Sequence, residues 1–330
     1  MQCQWKDKIF NIADKEFEKL ALELFLFQYE NNEIYRQFVT ALNVNVPSVN
    51  LLARIPFLPI RFFKSHPVIT TSFDAAAIFE SSGTTGTISS RHFVKDVGLY
   101  EESFVKGFEL FYGPVKDWCI IGLLPSYLER QNSSLVYMVN ELINLSGRKD
   151  SGFYLHEFEQ LFNLLSKLES RKQKTMLIGV TFGLLDFAEA CSSHFYPGLF
   201  NHIIFMETGG MKGMRMELIR HELHDILKRS FVVPVIHSEY GMTELLSQAY
   251  SHGEGIFKCP PWMRVLVRDE ADPLSMAYDS GAINIIDLAN VYSCSFIATD
   301  DAGKLFSDGS FEVLGRMDNS DLRGCSLMVV

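Results

Sequence analysis

Residues 231–244 read Phe231-Val232-Val233-Pro234-Val235-Ile236-His237-Ser238-Glu239-Tyr240-Gly241-Met242-Thr243-Glu244. The apolar run Phe231–Ile236 predicts a buried strand. An aromatic, a glycine, a hydroxyl and a carboxylate follow it, a composition suited to the ligand crevice at the strand ends of an open α/β sheet. Tyr240 could stack on a base, and Glu244 could hold Mg²⁺ beside phosphates. On these residues alone, Thr243 and Glu244 equally suit the first turn of a helix.

Upstream, short apolar runs alternate with amphipathic segments. The pattern predicts strands at Ile78–Glu80, Trp118–Leu124, Thr175–Val180 and His202–Met206. Helices are expected at Val97–Phe111, Ser133–Leu145, His156–Leu168 and Met214–Lys228. Such alternation implies βαβ units around a mostly parallel sheet. Further upstream, Phe17, Leu20, Ala21, Leu24 and Phe25 recur at helical spacing, so residues 14–38 read as an amphipathic helix or helix pair. Downstream of Gly253 the runs shorten (Met263–Val267, Ala282–Asp287, Ser295–Ala298, Phe311–Leu314), with turn residues between them. That texture predicts an antiparallel sheet or barrel. The expected organisation is an α/β body over residues 1–252 and a β-rich subdomain over 253–330, joined at a soft boundary.

Two further segments carry polar chemistry. Ser81-Ser82-Gly83-Thr84-Thr85-Gly86-Thr87 follows a predicted strand, and its glycines, hydroxyls and amides could surround phosphate oxygens. It is not a Walker loop, because no lysine follows Gly86; Arg91 is the first basic residue. By composition it could equally be a polar surface turn. Thr299-Asp300-Asp301 and Gly315-Arg316-Met317-Asp318 offer carboxylates for ribose hydroxyls and an arginine nearby, although taken alone they read as β-turns.

The remaining features exclude several classes. A net charge of −10 argues against a nucleic-acid platform. No apolar stretch suggests a signal peptide or a membrane span, so a cytoplasmic, soluble protein is expected. The six cysteines (Cys3, Cys119, Cys191, Cys259, Cys294 and Cys325) form no CxxC and read mostly as core thiols. His221 and His224 lie three apart, not at the HExxH spacing. No GxSxG elbow is present. His237 could line the site, whereas His66, His92, His156 and His202 suggest no role. Twenty-seven phenylalanines are mainly what core packing requires.

Taken in order, these motifs resemble the superfamily of adenylate-forming enzymes. Ser81–Gly86 matches its SSGTTG-type loop, and Tyr240–Glu244 matches its Tyr-Gly-x-Thr-Glu motif. Thr299-Asp300-Asp301 stands at its Thr-Gly-Asp, with the glycine replaced by Asp300. Gly315–Asp318 matches its Gly-Arg-x-Asp, and Glu207-Thr208-Gly209-Gly210 lies at its Gly-Gly segment. Leu124–Arg130, Met206–Gly213, His237–Glu244 and Ile55–Pro59 with Phe62-Phe63-Lys64 narrow the resemblance to acyl-protein synthetases of the LuxE type.

The resemblance implies the large α/β domain of an adenylate-forming enzyme, with αβαβα-type parallel sheets and a small barrel-like part. Only 14 residues follow Arg316, so the mobile C-terminal domain is expected to be lacking. It implies ATP and Mg²⁺, and a fatty or related carboxylic acid as substrate. Ser81–Thr87 would hold the phosphates, and Gly209, Gly210, Tyr240 and Gly241 would lie along the adenine. Thr243 would contact the α-phosphate, Glu244 the metal, and Asp301 and Arg316 the ribose. Cys325 stands where the family's acyl-cysteine lies, although it also suits an apolar terminal strand. The acyl acceptor is then Cys325, CoA, a carrier protein or an acyl-protein reductase. A phenylacetate-CoA-ligase-like enzyme, a non-catalytic adenylate-binding scaffold and a homo-oligomer remain open.

Overall fold

Five consecutive buried residues in Cys119–Leu123, and five more in Thr175–Gly179, have no polar face to turn to solvent. That is the pattern of parallel strands covered on both sides, and the two pair in parallel from Cys119↔Thr175 to Leu123↔Gly179. The computed structural model describes residues 2–81, 88–125, 132–209, 220–270, 272 and 274–317. The chain divides into two compact units, one of residues 63–67 and 72–260 and the other of 1–62, 68–71 and 261–330.

The first unit is built on a six-stranded sheet in the order Gly152–Tyr154, Cys119–Leu123, Thr175–Gly179, Ile203–Glu207, His237–Tyr240, Ala249–Ser251. The first five are parallel and the last is antiparallel. The chain enters at Cys119–Leu123, steps to the edge strand Gly152–Tyr154, then returns across to Thr175–Gly179. This reversal is a topological switch point, where open α/β sheets bind ligands at the carboxyl ends of their strands.

Helices Ser134–Ser146, Phe158–Ser170, Thr181–Ala190 and Arg220–Phe231 connect the strands. Ser133 starts the first of these by accepting the Val136 N–H, and Gly147 ends it in the left-handed region at φ 62°. One face of the sheet carries a cluster in which Phe187, Phe195, Phe205 and Phe231 meet, with Phe205 and Phe231 stacked at 4.3 Å. Much of the phenylalanine content is therefore core.

The sequence pattern is displaced at one point. Phe231–Ile236 is not a strand: Phe231 is the last residue of a helix, and the strand is His237–Tyr240. Burial of the Phe231 ring holds the helix end in the core. Val232 then turns through φ 54°, and Pro234 has no N–H to give a ladder. The helix Thr181–Ala190 and the strand Ala249–Ser251 add to the elements expected. Residues 214–219 of the expected helix lie outside the described residues.

Ala77–Glu80 and Arg91–Val94 form a separate antiparallel pair in this unit, with Phe79 opposite His92. Phe79 packs against Tyr100 and Tyr137 at 5.5 and 5.6 Å. Tyr100 lies on helix Val97–Tyr112, which Asp96 caps through the Gly98 N–H.

In the second unit, Met263–Arg268, Ser280–Asp287, Phe296–Leu305 and Phe311–Arg316 form an antiparallel meander. Leu58–Pro59 runs parallel to Phe296–Leu305. The helices Phe17–Asn31 and Glu33–Ala41 confirm a pair. Their buried positions Phe17, Leu20, Ala21, Leu24, Phe25 and Gln28 follow helical spacing. Gln28 Nε2 donates to the carbonyls of Asn290 and Val291, and Asn32 Nδ2 to that of Ser293. Buried amides thus fix the N-terminal helices to residues 290–295.

Candidate active site

At the carboxyl ends of the parallel strands, one carboxylate organises three chain segments. Glu207, 2% exposed, ends the strand Ile203–Glu207. Its Oε1 accepts from Thr181 Oγ1 at 2.9 Å and from the Gly209 N–H, and its Oε2 accepts from Ser238 Oγ at 3.3 Å. Arg220 Nη1 lies 3.4 Å away, and His224 Nε2 3.8 Å. The Thr181 N–H donates to the Gly209 carbonyl, and the Thr208 N–H to that of Gly179. Burial alone would raise the pKa of Glu207. The nearby His224 imidazole, the Arg220 charge and the Thr181 hydrogen bond outweigh it and hold the group at about 2.

Glu239 behaves oppositely. Ser238 pairs with Glu207 in register, so Glu239 projects from the other face of the sheet. Burial, and then the charge of Glu207, push its carboxyl up to about 8 against the opposing effect of Arg220. A Cβ at Gly241 would collide with Glu239 Oε1, so a larger residue here would displace the buried acid.

Beyond the strand His237–Tyr240, residues 241–248 form a turn and return as strand Ala249–Ser251, not as a helix. The Leu245 N–H closes this turn on the Met242 carbonyl at 3.0 Å. Tyr240 is 6% exposed and lies 5.7 Å from Phe257, and Glu244 is 5% exposed. His92 Nδ1 donates to the Thr243 carbonyl at 2.8 Å. His92 is one of the four histidines for which the sequence suggests no role, and its pairing in the hairpin brings it to this turn. His237 hydrogen-bonds Tyr112 Oη through Nδ1 at 3.2 Å. Burial and then His252 bring its pKa down to about 4, so it is neutral near pH 7.

The stem of the Ser/Thr/Gly segment is also fixed. The Ser81 N–H donates to the Ser90 carbonyl at 3.1 Å, and the Ser90 N–H to Ser81 Oγ at 2.9 Å. Ser82, Gly83, Thr84, Thr85, Gly86 and Thr87 lie outside the described residues, as do Gly210, Asp318 and Cys325.

In the other unit, Asp300 and Asp301 are not in a turn. They lie inside strand Phe296–Leu305, with Asp301 opposite Arg316. A register shift between Ala302 and Gly303 and the pairing with Phe311–Arg316 carry the strand through these polar residues. Asp301 Oδ1 is 3.9 Å from Arg316 Nε, and Asp300 Oδ2 is 3.0 Å from Arg61 Nε. The aspartate at the replaced glycine is thus paired away from its neighbour.

Among the described cysteines Cys119, Cys191 and Cys294 are buried and Cys259 is half-buried. Burial pushes the Cys294 thiol up to about 12 and raises those of Cys119 and Cys191, which disfavours thiolate chemistry. No group of three or more metal-ligating side chains is found among the described residues, and none of their helices is long and apolar enough to cross a membrane.

The family described as acyl-protein synthetase, LuxE, matches residues 10–330. The chain belongs to the LuxE acyl-protein synthetase family. Over 335 residues this family member is 24% identical to the long-chain-fatty-acid–luciferin-component ligase of Aliivibrio fischeri, covering 94% of the chain and 86% of that relative. Its fold is similar to that of 2-hydroxyisobutyryl-CoA ligase in complex with 2-HIB-AMP and CoA. The TM-score is 0.67 at 13% identity, over 95% of this chain and 70% of that one. It is also similar to ATP-bound MatB from Rhodopseudomonas palustris, with a TM-score of 0.55 at 18% identity over 75% of this chain. There it spans 49% of the structure's length. These likenesses establish the α/β adenylate-forming fold.

Proposed function

We propose that this LuxE-family chain activates a long-chain carboxylic acid with ATP and passes the acyl group to a thiol. In the first step a carboxylate oxygen bonds to the α-phosphorus, the bond from that phosphorus to the α,β-bridging oxygen breaks, and pyrophosphate leaves. In the second, a thiolate attacks the acyl carbonyl and AMP departs.

The observation that carries this reading is the Glu207 network, which ties the Gly209 turn and the Ser238–Tyr240 strand end together at the carboxyl edge of the sheet. The carboxyl edge of an open α/β sheet is where such folds bind ligands, and the network holds these two segments in place there. Arg220 Nε and Gln248 Oε1, buried and without a partner among the described residues, are what a polar ligand at this unit would satisfy. Thr243 would contact the α-phosphate, and Asp301 and Arg316 would hold the ribose.

Glu244 would hold Mg²⁺. A single buried carboxylate suits that ion, which keeps several waters and takes its other oxygens from phosphate. When bound, the ion neutralises phosphate charge. The thiol acceptor we assign is Cys325, with delivery to an acyl-protein reductase, CoA or a carrier protein afterwards. The test is labelled long-chain acid with ATP, followed by gel analysis of wild type and Cys325→Ser. Label should require ATP, be released by hydroxylamine and vanish in the variant. Thioester label persisting on Cys325→Ser removes the acyl-cysteine.

A further inference from the structure

The hairpin Ala77–Glu80 and Arg91–Val94 has only two strands, an arrangement that is marginal without support from elsewhere. Its next residues, Ser81 and Ser90, are hydrogen-bonded to each other and close the stem of the Ser/Thr/Gly segment. Phe79 and His92 are register partners and share a face of the hairpin. Phe79 anchors this face by packing on Tyr100 and Tyr137, which is attractive but weakly directional.

His92 supplies direction. It is 1% exposed, and Phe63 meets its ring edge-on at 5.8 Å and 88°. A carbonyl can only accept, so the 2.8 Å contact to Thr243 O requires Nδ1 to carry the proton. That bond fixes the plane of the 243–244 peptide. In a planar trans peptide the Glu244 N–H then points the opposite way from the Thr243 carbonyl.

We infer that His92 is a positioning residue for adenylation, holding the stem of the Ser81–Thr87 segment in register with the Tyr240–Glu244 turn. This rests on the adenylation reading, and deepens it. At 1% exposure the ring offers almost no surface for a ligand to touch. It sets the relation between the Ser81–Ser90 stem and the Tyr240–Glu244 turn.

The test compares wild type with His92→Leu, His92→Asn and His92→Gln. The asparagine amide reaches the Nδ1 position, and the glutamine amide reaches the Nε2 position instead. Acid-dependent ATP–pyrophosphate exchange should fall by at least about tenfold in kcat for His92→Leu and His92→Gln. In His92→Asn it should return to within about threefold of wild type. Hydrogen–deuterium exchange should quicken in peptides spanning 78–91 and 240–248 together in His92→Leu, and in neither in His92→Asn.

A folded His92→Leu with both peptides unchanged overturns the inference, as does His92→Asn behaving like His92→Leu. If His92→Leu does not fold, the contrast between asparagine and glutamine variants decides in the same way. A wild type inactive with every acid counts against adenylation, while the deuterium experiment still tests the coupling.

Discussion

Glu207 and Glu239 sit on neighbouring parallel strands and project from opposite faces of the sheet, one held ionised at about pKa 2 and the other pushed up to about 8. Three donors and a guanidinium surround the first. The second is buried beneath the Tyr240-Gly241 turn. One sheet end thus stores a charge and a neutral acid almost back to back.

The pair predicts a two-sided pH dependence of stability. Glu207 has a depressed pKa, so its contribution is present above about pH 4.5 and is lost as pH falls toward 2. Glu239 has a raised pKa, so its contribution is full below about pH 4.5 and is lost as pH rises through about 8. In Glu239→Gln, urea denaturation between pH 5 and 8 should lose a decline of up to about 1.4 kcal/mol per pH unit. The same slope in both proteins would show that Glu239 ionises normally.

Removing Glu207 strands Arg220, Thr181 and the Gly209 N–H around an empty centre. Breaking a buried charge pair from one side costs about 3–5 kcal/mol. Glu207→Ala should therefore lower the urea midpoint sharply and abolish exchange. A variant within about 1 kcal/mol of wild type would show that the network contributes little.

Gly241 tests the turn. A Cβ there meets Glu239 Oε1 and comes within 3.4 Å of Gln248 Cγ. Gly241→Ala should cost about 1–3 kcal/mol by overpacking and lower kcat/KM for ATP by at least about tenfold, on the order of 1.4 kcal/mol. Unchanged kinetics would mean that the turn absorbs the methyl.

The adjacent aspartates separate by role. Asp300 is paired with Arg61 at the surface, where such contacts contribute at most about 1 kcal/mol. Asp300→Gly, which brings the segment to the Thr-Gly-Asp pattern, should keep the KM for ATP within about threefold, whereas Asp301→Asn should raise it at least about tenfold. Equal effects in steady-state kinetics would refute the division.

Most elements were legible because their periodicity is local. Cys119–Leu123 is a continuous apolar run, and Phe17–Asn31 repeats at helical spacing. The Phe231–Ile236 run misled because a buried aromatic suits a helix end as well as a strand. Thr299–Asp301 read as a turn because strand pairing with Gly315 and Arg316 is a long-range fact. The grouping of residues 1–62 with 261–330 depends on Gln28 and Asn32 reaching carbonyls more than 250 positions away, which no local pattern records. Tyr240, Gly241 and Glu244 were visible as a motif. The His92 bond to Thr243 and the contacts that Glu207 gathers were not, since a hydrogen bond to a backbone carbonyl, or a buried hub, leaves no spacing to read.

The most direct measurement is ATP–pyrophosphate exchange by the purified chain across carboxylic acids from short to long. Adenylation by this site predicts exchange that requires both acid and Mg²⁺, is strongest with long-chain acids, and is lost in Glu244→Gln. No exchange with any acid, or exchange indifferent to acid, would contradict it.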